Sequence, residues 1–175
     1  MKPPQIRNRE LHRVVATAII YTPLRQGYGG ASKFLIIKRS PNKKAFPGKW
    51  TVPGGGLEVD DYVNSVPTAP NIWYFALEKT LRREVAEETG LEMGPINYLL
   101  DLVLLRPDGL PVLTLSFYAP WKKGRVKLNS ESVDFAWVTV QEAKKYDLID
   151  GILQEIQMVD LILQGKNHRK VNFKK

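Results

Sequence analysis

Glu84, Glu87 and Glu88 crowd into one short segment, Arg83 to Leu91, which is broken by Gly90 and preceded by the run Pro53-Gly54-Gly55-Gly56. On a helix turning about 100° per residue the three carboxylates fall on one face. At neutral pH they repel one another, and that face is disfavoured unless a cation offsets it. Arg83 lies one turn from Glu87 and is placed to pair with it. Hard cations such as Mg²⁺ are held by carboxylate oxygens, water and substrate phosphates. Glycines, having no Cβ, let the backbone approach such a site closely. A fold that brings the glycine run against the acidic face would build a metal-phosphate centre. Taken singly, each half has a plainer meaning, a solvated helix face and a turn; the ordered combination favours the site.

The rest of the chain narrows what can surround that pair. With 175 residues, 43% apolar and 25% charged, it has the make-up of one globular domain, expected to span 1–175. No apolar stretch approaches the roughly 20 residues that span a bilayer, and MKPPQIRNRELHR lacks the apolar run of a secretory signal. The chain has no cysteine, which excludes disulfides, thiolate metal sites and a cysteine nucleophile, and fits a cytoplasmic protein. Only His12 and His168 are present, both in terminal segments, so a histidine relay is not expected. The net charge of +8 attracts polyanions, either nucleotides or RNA. Much of the excess sits in loops and in the stretch 166–175, expected to be a frayed basic tail.

Apolar, β-branched runs predict strands at Arg13 to Tyr21, Lys33 to Arg39, Tyr98 to Leu105, Val112 to Ala119 and Val133 to Val140. Trp50 to Pro53 reads as a short strand entering a glycine turn, and Arg125 to Leu128 as a short polar strand. The glycine-rich Thr22 to Ser32 reads as a loop, and RPDGLP as a hairpin turn. Residues 57–70 lack helical periodicity and contain two prolines, so they read as a loop. A helix is expected from about Asn71 to Thr89, with Leu77, Leu81 and Val85 as its core stripe and Gly90 as its stop. Shorter helices are predicted at Gln141 to Lys145 and at Ile152 to Leu163, the latter burying Ile152, Ile156, Val159 and Leu163. Strands, helix, strands and helix in that order imply an α/β fold (α+β), a mixed sheet packed against helices.

The segment Arg83-Glu84-Val85-x-Glu87-Glu88-x-Gly90-Leu91 resembles the second half of the Nudix box. Gly48 to Gly56 (GKWTVPGGG), the KFLIIKRS strand and the SVDFAWVTVQEA segment are similar to the family's comparable elements, so the resemblance covers nearly the whole chain. It implies a Nudix-like α/β/α sandwich and hydrolysis of a pyrophosphate bond. Transferred residue by residue, it implies Glu84 and Glu88 as metal ligands and Glu87 as ligand or base, with the Gly54 carbonyl beside them and Arg83 orienting a carboxylate. Glu131, ahead of Trp137-Val138, is the candidate additional acid, favoured over Asp134. The cofactor would be Mg²⁺, with Mn²⁺ as a substitute. Arg39, Gly55 and Gly56 are candidate substrate contacts, although a surface-charge role for Arg39 weighs as much.

The first half of the box departs from the family. Asp61 stands where glutamate is usual, and 21 residues separate it from Arg83 where the family has seven. Asp61, Glu58 or Glu78 could take over support of Arg83. The extra segment carries Tyr62, Trp73 and Tyr74, which would either cap the core or form a lid over substrate. A nucleoside triphosphate is the favoured substrate. ADP-ribose or a nucleotide sugar is the alternative that the resemblance implies, because in some ADP-ribose hydrolases of the family a proline follows the box by about 16 residues, as Pro107 does here. An RNA 5′ end, a homodimer, and a non-catalytic nucleotide-sensing or RNA-binding module remain further readings.

Overall fold

A computed structural model describes residues 11–22, 31–106 and 108–173 of the chain. Among the described residues eight strands form one mixed sheet: β1 (Arg13–Tyr21), β2 (Phe34–Arg39), β3 (Trp50–Thr51), β4 (Gly54–Gly56), β5 (Glu92–Met93), β6 (Asn97–Leu105), β7 (Pro111–Lys123) and β8 (Ser132–Val138). The α-helices of the described residues are α1 (Ala76–Thr89), α2 (Val140–Ala143) and α3 (Ile152–Leu163). The long central pair is β1 and β7, parallel from Arg13↔Val112 to Tyr21↔Pro120. β6 folds back antiparallel on β7, β8 and β3 flank β2, and β4 lies antiparallel to β1.

The near-continuous hydrophobicity of β1 and β2 has a direct cause, because both faces of these strands are covered. Ala16, Ala18, Ile20, Leu35 and Ile37 point to α1, where Leu81 and Val85 meet them. Ile19, Phe34 and Ile36 point the other way, onto Ile152, Ile156 and Val159 of α3. The chain is therefore an α/β/α sandwich with two apolar layers, as expected. Among the described residues no helix is long and apolar enough to cross a membrane.

Several local expectations need correction. The glycines form no turn; Gly54–Gly56 is a strand in register with Val15–Thr17. Helix α1 starts at Ala76 and not near Asn71. Asn71 and Phe75 both take left-handed backbone (φ 57° and 60°), which interrupts any helix there. The inserted segment folds on itself through the Ala69–Ile72 bridge, Trp73 Nε1–H to the Ser65 carbonyl (3.0 Å) and packing of Tyr62 on Trp73. Residues 59–61 within it form a 3₁₀ turn. No strand forms at 125–128, because this stretch folds over the end of α1. Lys127 N–H caps the Thr89 carbonyl at 2.8 Å, while Val126 and Leu128 pack on the α1-side core. The tail is docked in part: a 3₁₀ turn at His168–Lys170 delivers Val171 onto the α3-side core. β5 was not anticipated. Most of the Thr22–Ser32 loop, and Pro107, lie outside the described residues.

Candidate active site

Helix α1 presents its acidic face at the point where β4 meets β1. Gly54 N–H donates to Glu88 Oε2 at 2.8 Å, fixing that carboxyl at the strand. A Cβ on Gly55 would fall 2.2 Å from the Glu84 carboxyl carbon, and one on Gly56 would fall 2.3 Å from the Arg13 guanidinium. At both positions a Cβ would crowd the end of a flexible side chain; Gly54 is the strict case, since at φ 147° a Cβ there would lie 2.2 Å from the Ala16 carbonyl oxygen. Gly90, at φ 69°, ends the helix and donates to the Ala86 carbonyl, holding the register that puts Glu84 and Glu88 on one side.

Arg83 is the organising cation. Its guanidinium bonds Asp61 through Nε and Nη2, Glu84 Oε1 through Nη2 (3.0 Å), and Glu87 Oε2 through Nη1 (3.0 Å). Asp61 also accepts from the Thr80 hydroxyl (2.8 Å) and the Glu58 N–H (3.0 Å). These bonds, chiefly those from Arg83, hold its carboxyl well below the usual range despite burial. Asp61 is thus the acid that supports Arg83, and the extra residues loop out between the two. Glu78 pairs with Arg82 instead.

A cleft of about 610 Å³ opens beside this cluster. Glu84, Glu88, Glu131, Arg39 and Gly54–Gly56 line it, with Arg13, Lys43 and Lys44 among its cations. Glu87 and Arg83 are not in its lining; Glu87 is turned to Arg83 and its side chain is 56% exposed. Tyr62, Trp73 and Tyr74 do not line it either; from the inserted segment Glu58 does. Asp134 lies within β8 opposite Lys38 and its carboxylate accepts the Phe135 N–H, away from the cleft.

Glu131 reaches the cleft because the β2–β8 register shifts between Lys38 and Arg39, and such a bulge re-aims side chains. Its carbonyl accepts Ser40 N–H, and its carboxylate pairs with Lys43 at 2.6 Å. Arg39 is held by donation from Nε to the Ala45 carbonyl at 2.9 Å. Burial lowers its basicity, partly opposed by the fields of Glu88 and Glu131. Burial pushes the Glu88 carboxyl up to about 7; the Gly54 N–H and Arg39 pull it down while Glu84 and Glu131 push it further up. Glu84 is also raised, first by burial, against the pull of Arg83.

These acids fit a hard divalent cation by donor type, since the set is all carboxylate oxygen with no sulfur or imidazole. Among the described residues no three acidic or histidine side chains converge into a closed cage. Arg83 engages Glu84 and Glu87, and an ion bound at Glu84 and Glu88 would complete its shell with water and phosphate oxygens, the usual habit of Mg²⁺. Arg13 and the polar residues Ser116 and Glu155 also line the cleft and were not anticipated. An acid within the apolar stripe of α3 was the available signal for Glu155.

The comparisons with known proteins agree with this architecture. The NUDIX domain family model matches residues 11–156. A nucleoside triphosphatase, NudI, of Klebsiella pneumoniae (strain 342) is 30% identical over 139 residues, covering 74% of this chain and 86% of the relative. NudI of Escherichia coli (strain K12) is 29% identical with the same coverage. Among solved structures, a MutT protein from Methanosarcina mazei Go1 superposes with a TM-score of 0.65 at 23% identity, over 95% of this chain and 99% of that one. The NUDIX domain of Shewanella oneidensis NrtR, solved with ADP ribose, gives a TM-score of 0.67 at 20% identity, over 88% and 90%. With the Arg83–Asp61 anchor and the acidic helix set against a glycine strand, the matches identify the chain as a member of the Nudix hydrolase family.

Proposed function

We propose that this hydrolase cleaves a pyrophosphate bond of a nucleoside triphosphate, with Mg²⁺, or Mn²⁺ in its place, held by Glu84 and Glu88 and by the Gly54 backbone. The observation that carries the reading is the meeting of the buried Glu88 and the partly buried Glu84 carboxylates with Gly54–Gly56 at a cleft also lined by Arg39 and Lys43. The similarity to nucleoside triphosphatases over 86% of their length supports the substrate class. When bound, the ion would neutralise phosphate oxygens and acidify the attacking water.

The chain's own residues do the rest. Arg83 holds Glu84 in place and leaves substrate to others. Arg39, fixed through Ala45, and Lys43 offer positive charge to the polyphosphate. Glu131 is better placed as general base than Glu87, because it lines the cleft and Glu87 does not. In that role Lys43 leaves Glu131 for a substrate phosphate, freeing the carboxylate to take a proton from water. The water oxygen bonds to one phosphorus as the bridging P–O bond breaks, and the other phosphate departs with the bridging oxygen.

The test is hydrolysis of a panel of nucleoside triphosphates, ADP-ribose, dinucleoside polyphosphates and capped RNA, with and without Mg²⁺ or Mn²⁺. Wild type is expected to turn over a triphosphate only with the metal, and Glu88→Gln to be slower by about 100-fold or more. Equal rates for the two proteins, or no turnover of any substrate, would overturn the reading. Preferential cleavage of ADP-ribose would retain the chemistry and replace the substrate.

A further inference from the structure

The cleft continues past the glycine strand onto the α3 side of the sheet. Its floor there is polar: Thr17 on β1, with Ser116 and Thr114 on β7. Thr17 and Ser116 are register partners with hydroxyl oxygens 2.9 Å apart. Leu102 and Leu104 of β6 and Ile152 of α3 supply apolar walls. Glu155, also from α3, lines the same cavity while only 1% exposed. Its carboxyl takes a hydrogen bond from Ser116, yet Oε2 has no partner among the described residues.

A buried polar atom without a partner disfavours the fold, and native interiors seldom keep one without a role. Here the residue lines a cavity of ligand size, whose hydroxyl-bearing floor lies between leucine and isoleucine side chains, which suits a flat ring bearing a hydrogen-bonding edge. A phosphate suits Glu155 itself poorly, since a carboxylate repels an anion, and the cations of the cleft are Arg13, Arg39, Lys43, Lys44 and Arg106. The distance is also suitable. Ser116, Thr17 and Gly54 occupy one row across three strands, and Gly54 holds Glu88. Two strand spacings are roughly 10 Å, on the order of the reach from a nucleotide's base to its phosphates.

We propose that Glu155 is a specificity-determining residue, whose Oε2 hydrogen-bonds the polar edge of a heterocyclic base seated between Leu102, Leu104 and Ile152. The inference rests on the nucleotide reading of the substrate. Ser116, backed by Thr17, orients the carboxyl. Burial pushes that carboxyl up to about 7, so it can donate in its protonated form as well as accept.

The test uses the full chain and has two arms. In the first, binding of uncharged adenosine, guanosine, cytidine and uridine is measured without divalent cation, with ribose 5-phosphate as the base-free control. In the second, hydrolysis of the four triphosphates and of inorganic tripolyphosphate is followed with Mg²⁺. Wild type is expected to rank the bases, and Glu155→Gln, nearly the same in shape, to change that ranking about tenfold in both arms. The base-free probes should be unaffected, and Ser116→Ala should shift the ranking in the same direction. Identical rankings for wild type and Glu155→Gln, or no discrimination by wild type, would overturn the proposal and leave Glu155 bonded to structural water only. Reordered nucleoside binding without hydrolysis of any triphosphate would sustain this inference and defeat the hydrolytic one. Hydrolysis with an unchanged ranking would do the reverse.

Discussion

Two glutamates lie buried on opposite faces of one sheet, and they differ chiefly in their neighbours. Glu88 on α1 is 5% exposed and Glu155 on α3 is 1% exposed, and burial pushes both carboxyls up to about 7. Glu88 accepts a backbone N–H and lies in the fields of Glu84, Glu131 and Arg39. Glu155 has one serine hydroxyl and neutral surroundings. An acid among other acids at a cleft favours a cation; an acid among neutral groups relieves its burial by keeping its proton. Burial is the largest cause of the shift at both residues, and the neighbouring groups decide what each can do.

The largest separation should come from removing the charge at each site. Glu88→Gln should lower hydrolysis of every substrate by about 100-fold or more, while its melting temperature stays level or rises. Glu155→Gln should leave tripolyphosphate hydrolysis intact and alter stability in a pH-dependent way. Its folded pKa lies above the unfolded value of about 4.3. The stability it contributes is therefore complete below pH 4.3 and is lost as pH rises through about 7. Urea titrations from pH 5 to 8 should show wild type losing roughly 2 kcal/mol relative to Glu155→Gln. Parallel curves would contradict a buried acid in neutral surroundings.

Asp61 has the opposite sign and anchors the α1 side. Its folded pKa is depressed, so its stability is present above the unfolded value near 3.9 and is lost as pH falls toward the folded one. Asp61→Asn should cost about 2 kcal/mol at pH 7, below the roughly 3–5 kcal/mol of a fully buried pair because Arg83 is partly exposed. Most of that difference should vanish near pH 2, as acid unfolding would show. Gly55→Ala is the mildest change. The added methyl meets the end of the flexible Glu84 side chain, so catalysis should fall several-fold with little change in melting temperature. A large loss of stability would mean that the strand, and not the carboxyl, gives way.

The elements with strong periodicity were legible from residues alone. Arg13–Tyr21 and Ile152–Leu163 carry the predicted bounds because continuous and one-sided apolar patterns leave little choice. Glu84 and Glu88 were legible as candidates through spacing, and Glu131 only through the family resemblance, which sets an acid before Trp137-Val138; all three line the cleft. What escaped depends on long-range contact. Gly54–Gly56 has no side chains to show an alternating pattern, so its pairing with Val15–Thr17 left no local trace. The start of α1 is set by left-handed Phe75. Glu155 is hidden by its own stripe: Ile152, Ile156 and Val159 mark the buried side of α3, and the acid between them shares their face.

The most direct measurement places both glutamates in one experiment, with steady-state kinetics of wild type, Glu88→Gln and Glu155→Gln on four nucleoside triphosphates and tripolyphosphate in Mg²⁺. The structure predicts that Glu88→Gln is slowed on all five by a similar large factor. Glu155→Gln is predicted to reorder the four nucleotides while cleaving tripolyphosphate at the wild-type rate. Full activity in Glu88→Gln, or a uniform loss in Glu155→Gln, would contradict the division of the cleft into an acidic reaction end and a neutral reading end.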